Sequence, residues 1–181
     1  RDPYQGIPIG GFTRIFEKML AGCDVRLGVN HRTILRDCGK SAVIFTGAID
    51  EYFDYCYGPL EYRSLRFEHD RHDETDNLQG VAVVNYNDLS VPYTRTIEHK
   101  HFEFGTQPFT IITREYPQEW KPGEEPYYPI NDPKNQSRYE QYAALAKQQP
   151  HVTFGGRLGN YSYTDMQDTI ANALELSEIL S

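Results

Sequence analysis

Four short runs rich in β-branched and aromatic residues, at 64–67, 81–86, 94–102 and 109–114, follow one another with only turn-forming residues between them. Such side chains suit a pleated, half-buried surface. Successive strands without an intervening helix cannot make the crossovers of a parallel sheet, so the middle of the chain is predicted to be an antiparallel sheet. The flanks read differently. Phe12, Ile15, Phe16, Met19 and Leu20 fall at helical spacing after Gly10-Gly11, and Gly22 closes this short helix. Residues 24–27 and 41–45 read as strands broken by polar turns, the second apolar enough to be central. Residues 50–57 predict a short helix that stops at Gly58-Pro59. Five prolines within 117–133 forbid regular structure throughout, which makes this an extended crossing segment. Ser137 and Glu140 have capping-box spacing, and Tyr139, Tyr142, Ala143 and Ala146 follow at helical intervals, so a helix is expected up to about Pro150.

The last thirty or so residues change grammar. Residues 151–154 read as a strand, Gly155-Gly156-Arg157-Leu158-Gly159 as a turn, and a long helix starts at about Asp165, capped by Thr164 with Gln167 three positions on. Strand, glycine turn and helix in immediate succession belong to a sheet flanked by helices. The expected fold is therefore α+β: an antiparallel sheet domain with flanking helices over 1–150, and the strand-turn-helix of a second, α/β domain over 151–181.

Composition narrows the function classes. With 39% hydrophobic and 13% aromatic residues, a chain of 181 can bury a core and is neither disordered nor fibrous. A net charge of -8 without basic runs argues against nucleic acid as a partner, though a few placed arginines still suffice for a small anion. No run of about 18 apolar residues is present, so no membrane span is expected. The opening Arg1-Asp2-Pro3-Tyr4 has neither an initiator methionine nor an apolar stretch, and reads as interior sequence of a longer protein rather than a signal peptide. Cys23, Cys38 and Cys56 have no zinc or redox spacing and predict reduced thiols in a cytoplasmic protein.

Catalytic triads, Walker loops and the Gly-x-Gly-x-x-Gly fingerprint are absent. His99 and His101, alternating with Glu98, Lys100 and Glu103, would share a strand face and could hold a metal, but a solvated face of alternating charge explains them without one. Arg95, at the start of its strand, is either a two-pronged phosphate ligand or the partner of a surface acid. The turn at 155–159 lets backbone approach a phosphate or a flavin edge, or is simply a tight connection.

Several long strings resemble one family. Tyr4-Gln5-Gly6-Ile7-Pro8, Leu60-Glu61-Tyr62-Arg63-Ser64-Leu65, Val84-Asn85-Tyr86 with Val91-Pro92-Tyr93-Thr94-Arg95, Glu98-His99-Lys100-His101-Phe102, Glu125-Pro126-Tyr127-Tyr128-Pro129-Ile130 and Gly156-Arg157-Leu158-Gly159-x-Tyr161-x-Tyr163-x-Asp165-Met166 appear in this order. Together they look like the bacterial UDP-galactopyranose mutase family, essentially from end to end of the chain. Matched in this way, the chain corresponds to the carboxy-terminal part of that family. The family's first half, with its glycine-rich FAD fingerprint, its catalytic-site histidine segment and its mobile loop bearing an arginine and a tryptophan, has no counterpart here.

The resemblance implies a flavin-binding α/β domain, a helical domain and an antiparallel sheet, with 151–181 as the returning strand and helix of the FAD domain. It implies an isomerase that interconverts the pyranose and furanose forms of UDP-galactose for cell wall galactofuranose, in the cytoplasm, as a homodimer. Reduced FAD acts there as a nucleophile through N5 at the anomeric carbon, with no net redox change. Carried over residue by residue, Arg95 would hold the diphosphate, Asn85 would be a nearby substrate ligand, and Tyr128, or Tyr127 in its place, a hydroxyl donor to the diphosphate. Tyr163 and Asp165 would line the site beside sugar and phosphates. Gly156, Arg157 and Gly159, with Tyr163, Asp165 and Met166, would form the cofactor-binding turn. Two rival readings are a flavin amine-oxidase-like oxidoreductase, which needs no diphosphate grip, and a nucleotide-sugar or protein-binding module without catalysis. The chain by itself is expected to be inactive.

Overall fold

The computed structural model describes residues 3–37, 39 and 41–180, so Arg1, Asp2 and Cys38 of the readings above lie outside the described residues. In chain order the elements are α1 (Thr13–Met19), α2 (His31–Asp37), β1 (Val43–Phe45), α3 (Ile49–Tyr52), β2 (Tyr62–His72), β3 (Val83–Asn85), β4 (Arg95–Glu98), a 3-10 turn (His99–Phe102), β5 (Thr110–Glu119), β6 (Tyr128–Pro129), α4 (Pro133–Ala146), β7 (Val152–Phe154), α5 (Gly156–Gly159) and α6 (Met166–Leu180). They divide into two compact units, one of residues up to Val29 with Leu65–Pro117, the other of Asn30–Ser64 with Gln118 onward.

The four runs that suggested an antiparallel sheet become β2 to β5, in a five-stranded sheet of order β3-β4-β5-β2-β6. β4 lies antiparallel between β3 and β5, with Thr96 opposite both Val84 and Arg114. A separate two-stranded sheet pairs β1 with β7 in parallel, Phe45 opposite Phe154. Helices, an antiparallel sheet and a small parallel one make an α+β chain.

In the second unit Ile49, Leu60, Tyr62, Tyr142 and Tyr161 form an aromatic core, with Phe53, Trp120, Tyr139 and Phe154 packed against it. A tyrosine in such a core usually finds a partner for its hydroxyl. Tyr142 finds two: its hydroxyl accepts the Tyr57 N–H at 3.0 Å and donates to the Gly58 carbonyl at 2.8 Å. The first unit also buries charge. Glu98 and Lys100 are both buried, and the Lys100 ammonium donates to the carbonyls of Asp76, Gln107 and Phe109.

Local expectations fail in several places, among them the helix read over 50–57, which ends at Tyr52, and the turn at 155–159, of which Gly156–Gly159 is a short helix. Residues 24–27 form no strand. Residues 31–37 form a helix where none was foreseen, started by Asn30, whose side-chain oxygen accepts the Arg32 N–H at 2.9 Å. α4 begins at Pro133 rather than near Ser137, because Asp132 caps it by accepting the Asn135 N–H at 2.7 Å and Pro133 occupies the position where its missing N–H costs nothing. The strand expected over 94–102 ends at Glu98, so His99 and His101 sit in a 3-10 turn rather than two apart on one strand face. Glu98 and Lys100 are correspondingly buried, not solvated.

Candidate functional site

Strand register brings together two residues that lie ten apart in sequence. Asn85 of β3 stands opposite Arg95 of β4, which stands opposite Glu115 of β5, so the three side chains share one face. The Arg95 Nε donates to Asn85 Oδ1 at 2.9 Å, and its Nη1 lies 3.6 Å from Glu115 Oε2. Glu115 is buried, whereas the Arg95 side chain is 43% exposed. The guanidinium is thus steered from two sides while donors remain free, the arrangement that readies a planar cation for a diphosphate. Sequence reasoning found Asn85 and Arg95 but missed Glu115, whose signal is only its place across the ladder.

The second unit gathers the rest. Arg157 donates through Nη1 to the Tyr127 carbonyl at 2.9 Å and through Nη2 to the Thr164 carbonyl at 2.7 Å. Its guanidinium lies 4.8 Å from the Tyr163 ring centre and 5.8 Å from that of Tyr128. Tyr128 and Tyr163 stack at 5.8 Å between ring centres, 28° from parallel. The Tyr163 hydroxyl donates to Asp165 Oδ1 at 3.1 Å, and this bond to the carboxylate pushes the phenol above its ordinary range. Asp165 supplies the carbonyl that accepts the Thr169 N–H at 3.0 Å, so it stands at the start of α6, while Thr164, expected as the cap, pairs its hydroxyl with that of Thr169. Met166 is the first residue of α6.

Tyr161 lies between the glycine turn and Tyr163. It is buried, holds a left-handed backbone at φ 43°, and its hydroxyl lies 2.5 Å from the Glu61 carbonyl and 3.0 Å from that of Ile130. Glu61 precedes β2 and Ile130 follows β6, so this one hydroxyl fixes where Tyr128 emerges. Burial, partly offset by the Ile130 bond, pushes the phenol up to about 12.

The glycines of the turn have distinct roles. Gly156 has φ +72°, which a side chain rarely adopts. Gly159 is set by space: a Cβ there would sit 3.1 Å from the Phe45 carbonyl oxygen. Beside the turn is a cleft of about 460 Å³, lined by Thr46, Gly155, Gly156 and Asn160 together with α6 residues such as Thr169 and Leu176. Thr46 and Gly155 directly follow the parallel strands β1 and β7. Carboxyl ends of parallel strands are where α/β sheets receive nucleotides, and bare glycine backbone lets one approach closely, so these residues fit the edge of a dinucleotide cofactor. Among the described residues no group of three or more His, Cys, Asp or Glu is placed to hold a metal ion.

The family model described as UDP-galactopyranose mutase matches residues 1–163. A dTDP-fucopyranose mutase of Escherichia coli is 35% identical over 97% of this chain and 48% of its own length. A probable UDP-galactopyranose mutase of Klebsiella pneumoniae is 34% identical over 97% of the chain and 46% of its own length, and the UDP-galactopyranose mutase of Mycoplasma pneumoniae 36% identical over 97% and 48%. The chain spans about half the length of these curated relatives. With nine-tenths of its residues inside the family model, the chain belongs to the UDP-galactopyranose mutase family.

Proposed function

We propose that this chain supplies the substrate-gripping surface of a flavin-dependent isomerase that interconverts UDP-galactopyranose and UDP-galactofuranose. The family match over residues 1–163 carries the reading. The Asn85–Arg95–Glu115 row supports its chemistry, since a steered guanidinium with free donors suits a diphosphate. Tyr128 and Tyr163 present stacked phenol rings beside Arg157, and Tyr127 or Tyr128 offers a hydroxyl to the diphosphate. Asp165, already accepting the Tyr163 hydroxyl next to the start of α6, orients hydroxyls of the substrate.

Thr46, Gly155, Gly156 and Asn160 would hold part of FAD, with 151–181 as the returning strand and helix of its domain. The reduced cofactor supplies a nucleophile for the anomeric carbon, and the surrounding residues bind, orient and exclude water. A cytoplasmic setting and a homodimer belong to the same reading. Cys23 and Cys56 are free and exposed, as a reducing compartment allows, and among the described residues no helix is long and apolar enough to cross a membrane.

The test uses the protein that carries this chain, with reduced flavin and either UDP-galactofuranose or dTDP-fucofuranose. Conversion of the UDP-sugar to its pyranose form is expected, with loss of about 2–5 kcal/mol of transition-state stabilisation in Arg95→Ala and unchanged flavin content. Preference for the dTDP sugar would move the substrate to the one named for the Escherichia coli relative. Absence of ring interconversion with both sugars overturns the reading, and unimpaired turnover in Arg95→Ala leaves Arg95 as a surface charge paired with Glu115.

A further inference from the structure

The second unit has a further cleft of about 420 Å³ whose walls include Asp50, Glu51, Tyr55, Tyr62, Trp120 and Glu124. Every charged residue lining it is acidic. Asp50 and Tyr62 are 1% and 3% exposed. Asp50 Oδ2 accepts the Leu60 N–H at 2.8 Å, but Asp50 Oδ1 and the Tyr62 hydroxyl have no hydrogen-bond partner among the described residues. A buried carboxylate oxygen and a buried hydroxyl left unpaired are costly, and folded chains keep such groups where something else satisfies them.

The aromatic walls point the same way. Tyr55 follows Asp54 in the left-handed region, at φ 55° and 51°, a conformation unfavourable for a bulky side chain, and its N–H donates to the Asp50 carbonyl at 2.8 Å. That turn holds its ring beside the acid. Trp120 commits its indole N–H to the Glu124 carbonyl at 2.8 Å and packs edge-on to Tyr62 at 5.2 Å, so what it offers the cleft is the ring. Carboxylates framed by electron-rich rings select against anions and favour a cation that can lie over a ring and donate to an oxygen.

We infer that this cleft binds an organic cation, an ammonium or guanidinium group, with Asp50 Oδ1 as its ionic partner, the Tyr62 oxygen as a second acceptor, and the Tyr55 and Trp120 rings as walls. The inference does not rest on the mutase reading, since three acids around the cleft repel a diphosphate. Burial, with the neighbouring Glu51 charge, pushes the Asp50 carboxyl up against backbone hydrogen bonds that favour its ionised form, and an arriving cation offsets that burial.

Trp120 is the chain's only tryptophan, so its fluorescence reports on the cleft directly. The chain is titrated with n-butylguanidinium and n-butylammonium, with n-butanol as the neutral control and acetyl-Gly-Arg-Gly-amide as a side chain carried on peptide. Saturable changes with the two cations and none with n-butanol are expected, weakened at least about tenfold by Asp50→Asn and several-fold by Tyr62→Phe. Asparagine can still accept the Leu60 N–H. Should Asp50→Asn nonetheless lose its circular dichroism, Glu124→Gln takes its place and is expected to weaken binding about threefold. Peptide binding equal to that of n-butylguanidinium assigns the cleft to an arginine of a protein segment, and binding of the free cation alone assigns it to a small amine. Failure to saturate, an equal response to n-butanol, or folded variants with unchanged affinity overturns the inference.

Discussion

Replacing Glu98 by glutamine tests how much its buried carboxylate contributes to the stability of the first unit. Glu98 is fully buried, and its Oε1 accepts the Leu78 N–H at 2.9 Å and the Thr110 hydroxyl at 2.6 Å. Its Oε2 accepts the Gln79 N–H at 2.9 Å and lies 3.2 Å from His101 Nε2, within ion-pair range but without hydrogen-bond geometry. Burial by itself would raise this acid. The Thr110 hydroxyl, the two backbone amides and His101 together hold it down, from an ordinary 4.5 to about 2. At ~1.4 kcal/mol per pKa unit, the ionised form contributes about 3 kcal/mol at neutral pH. Because the folded value is depressed, that contribution is whole above about pH 4.5 and is lost as pH falls towards about 2. Glutamine turns one acceptor into a donor that faces a backbone N–H, so urea unfolding near neutral pH should show Glu98→Gln less stable by about 3 kcal/mol. The gap between wild type and variant should narrow by about 2 kcal/mol near pH 3, where the unfolded acid is already protonated. A gap that stays constant with pH refutes the charge argument, and a gap below about 0.5 kcal/mol refutes the whole account.

Burial, then the neighbouring His69, lowers the His99 pKa, so its stabilising share is complete above about 6.5 and is lost as pH falls below it; nuclear magnetic resonance titration of the ring should find a midpoint below 6.5, and one above it contradicts the environment drawn from the Thr113 contact at 2.6 Å. Tyr161→Phe should cost about 1–2 kcal/mol in urea unfolding, because the Glu61 and Ile130 carbonyls lose a shared donor; unchanged stability would mean the hydroxyl is dispensable. The 181-residue chain, which has no Gly-x-Gly-x-x-Gly segment, should purify colourless, and near-stoichiometric flavin after purification would show that the cleft at Gly155 and Gly156 suffices.

What the sequence made legible was what is local. Four strand-like runs specify an antiparallel sheet because each carries its own β-branched and aromatic residues, and 151–166 announces its strand, turn and helix because glycine and apolar spacing are written in adjacent letters. The helix starts were legible in principle. Asp132-Pro133 is a stronger signal than Ser137 with Glu140, since it pairs a capping acid with a proline suited to the first turn, and Asn30 before His31 is a plain cap. Glu98 and Lys100 were not legible. Their alternation with histidines looks like a solvated face, and only loops some twenty residues away, at Leu78, Gln79 and Asp76, supply the donors and acceptors that make their burial tolerable. The partnership of Arg95 with Glu115 depends likewise on which strand lies next to which.

Arg157 shows how a residue found by resemblance can carry a duty the resemblance did not name. A guanidinium has five N–H donors in a rigid fork. Arg157 commits both of its terminal nitrogens, one to the carbonyl of Tyr127 just before β6 and one to that of Thr164 two residues before α6, and lies against the rings of Tyr128 and Tyr163. The same side chain therefore sets the spacing of the stacked pair proposed to face the substrate, while donors remain for a cofactor. Lysine keeps the charge but cannot reach both carbonyls with a planar fork, so Arg157→Lys separates the two duties. If positioning is the larger part, the substitution should lower affinity for the nucleotide sugar as much as for the flavin. A loss confined to the flavin would mean that the two carbonyl bonds are incidental to where Tyr128 and Tyr163 stand.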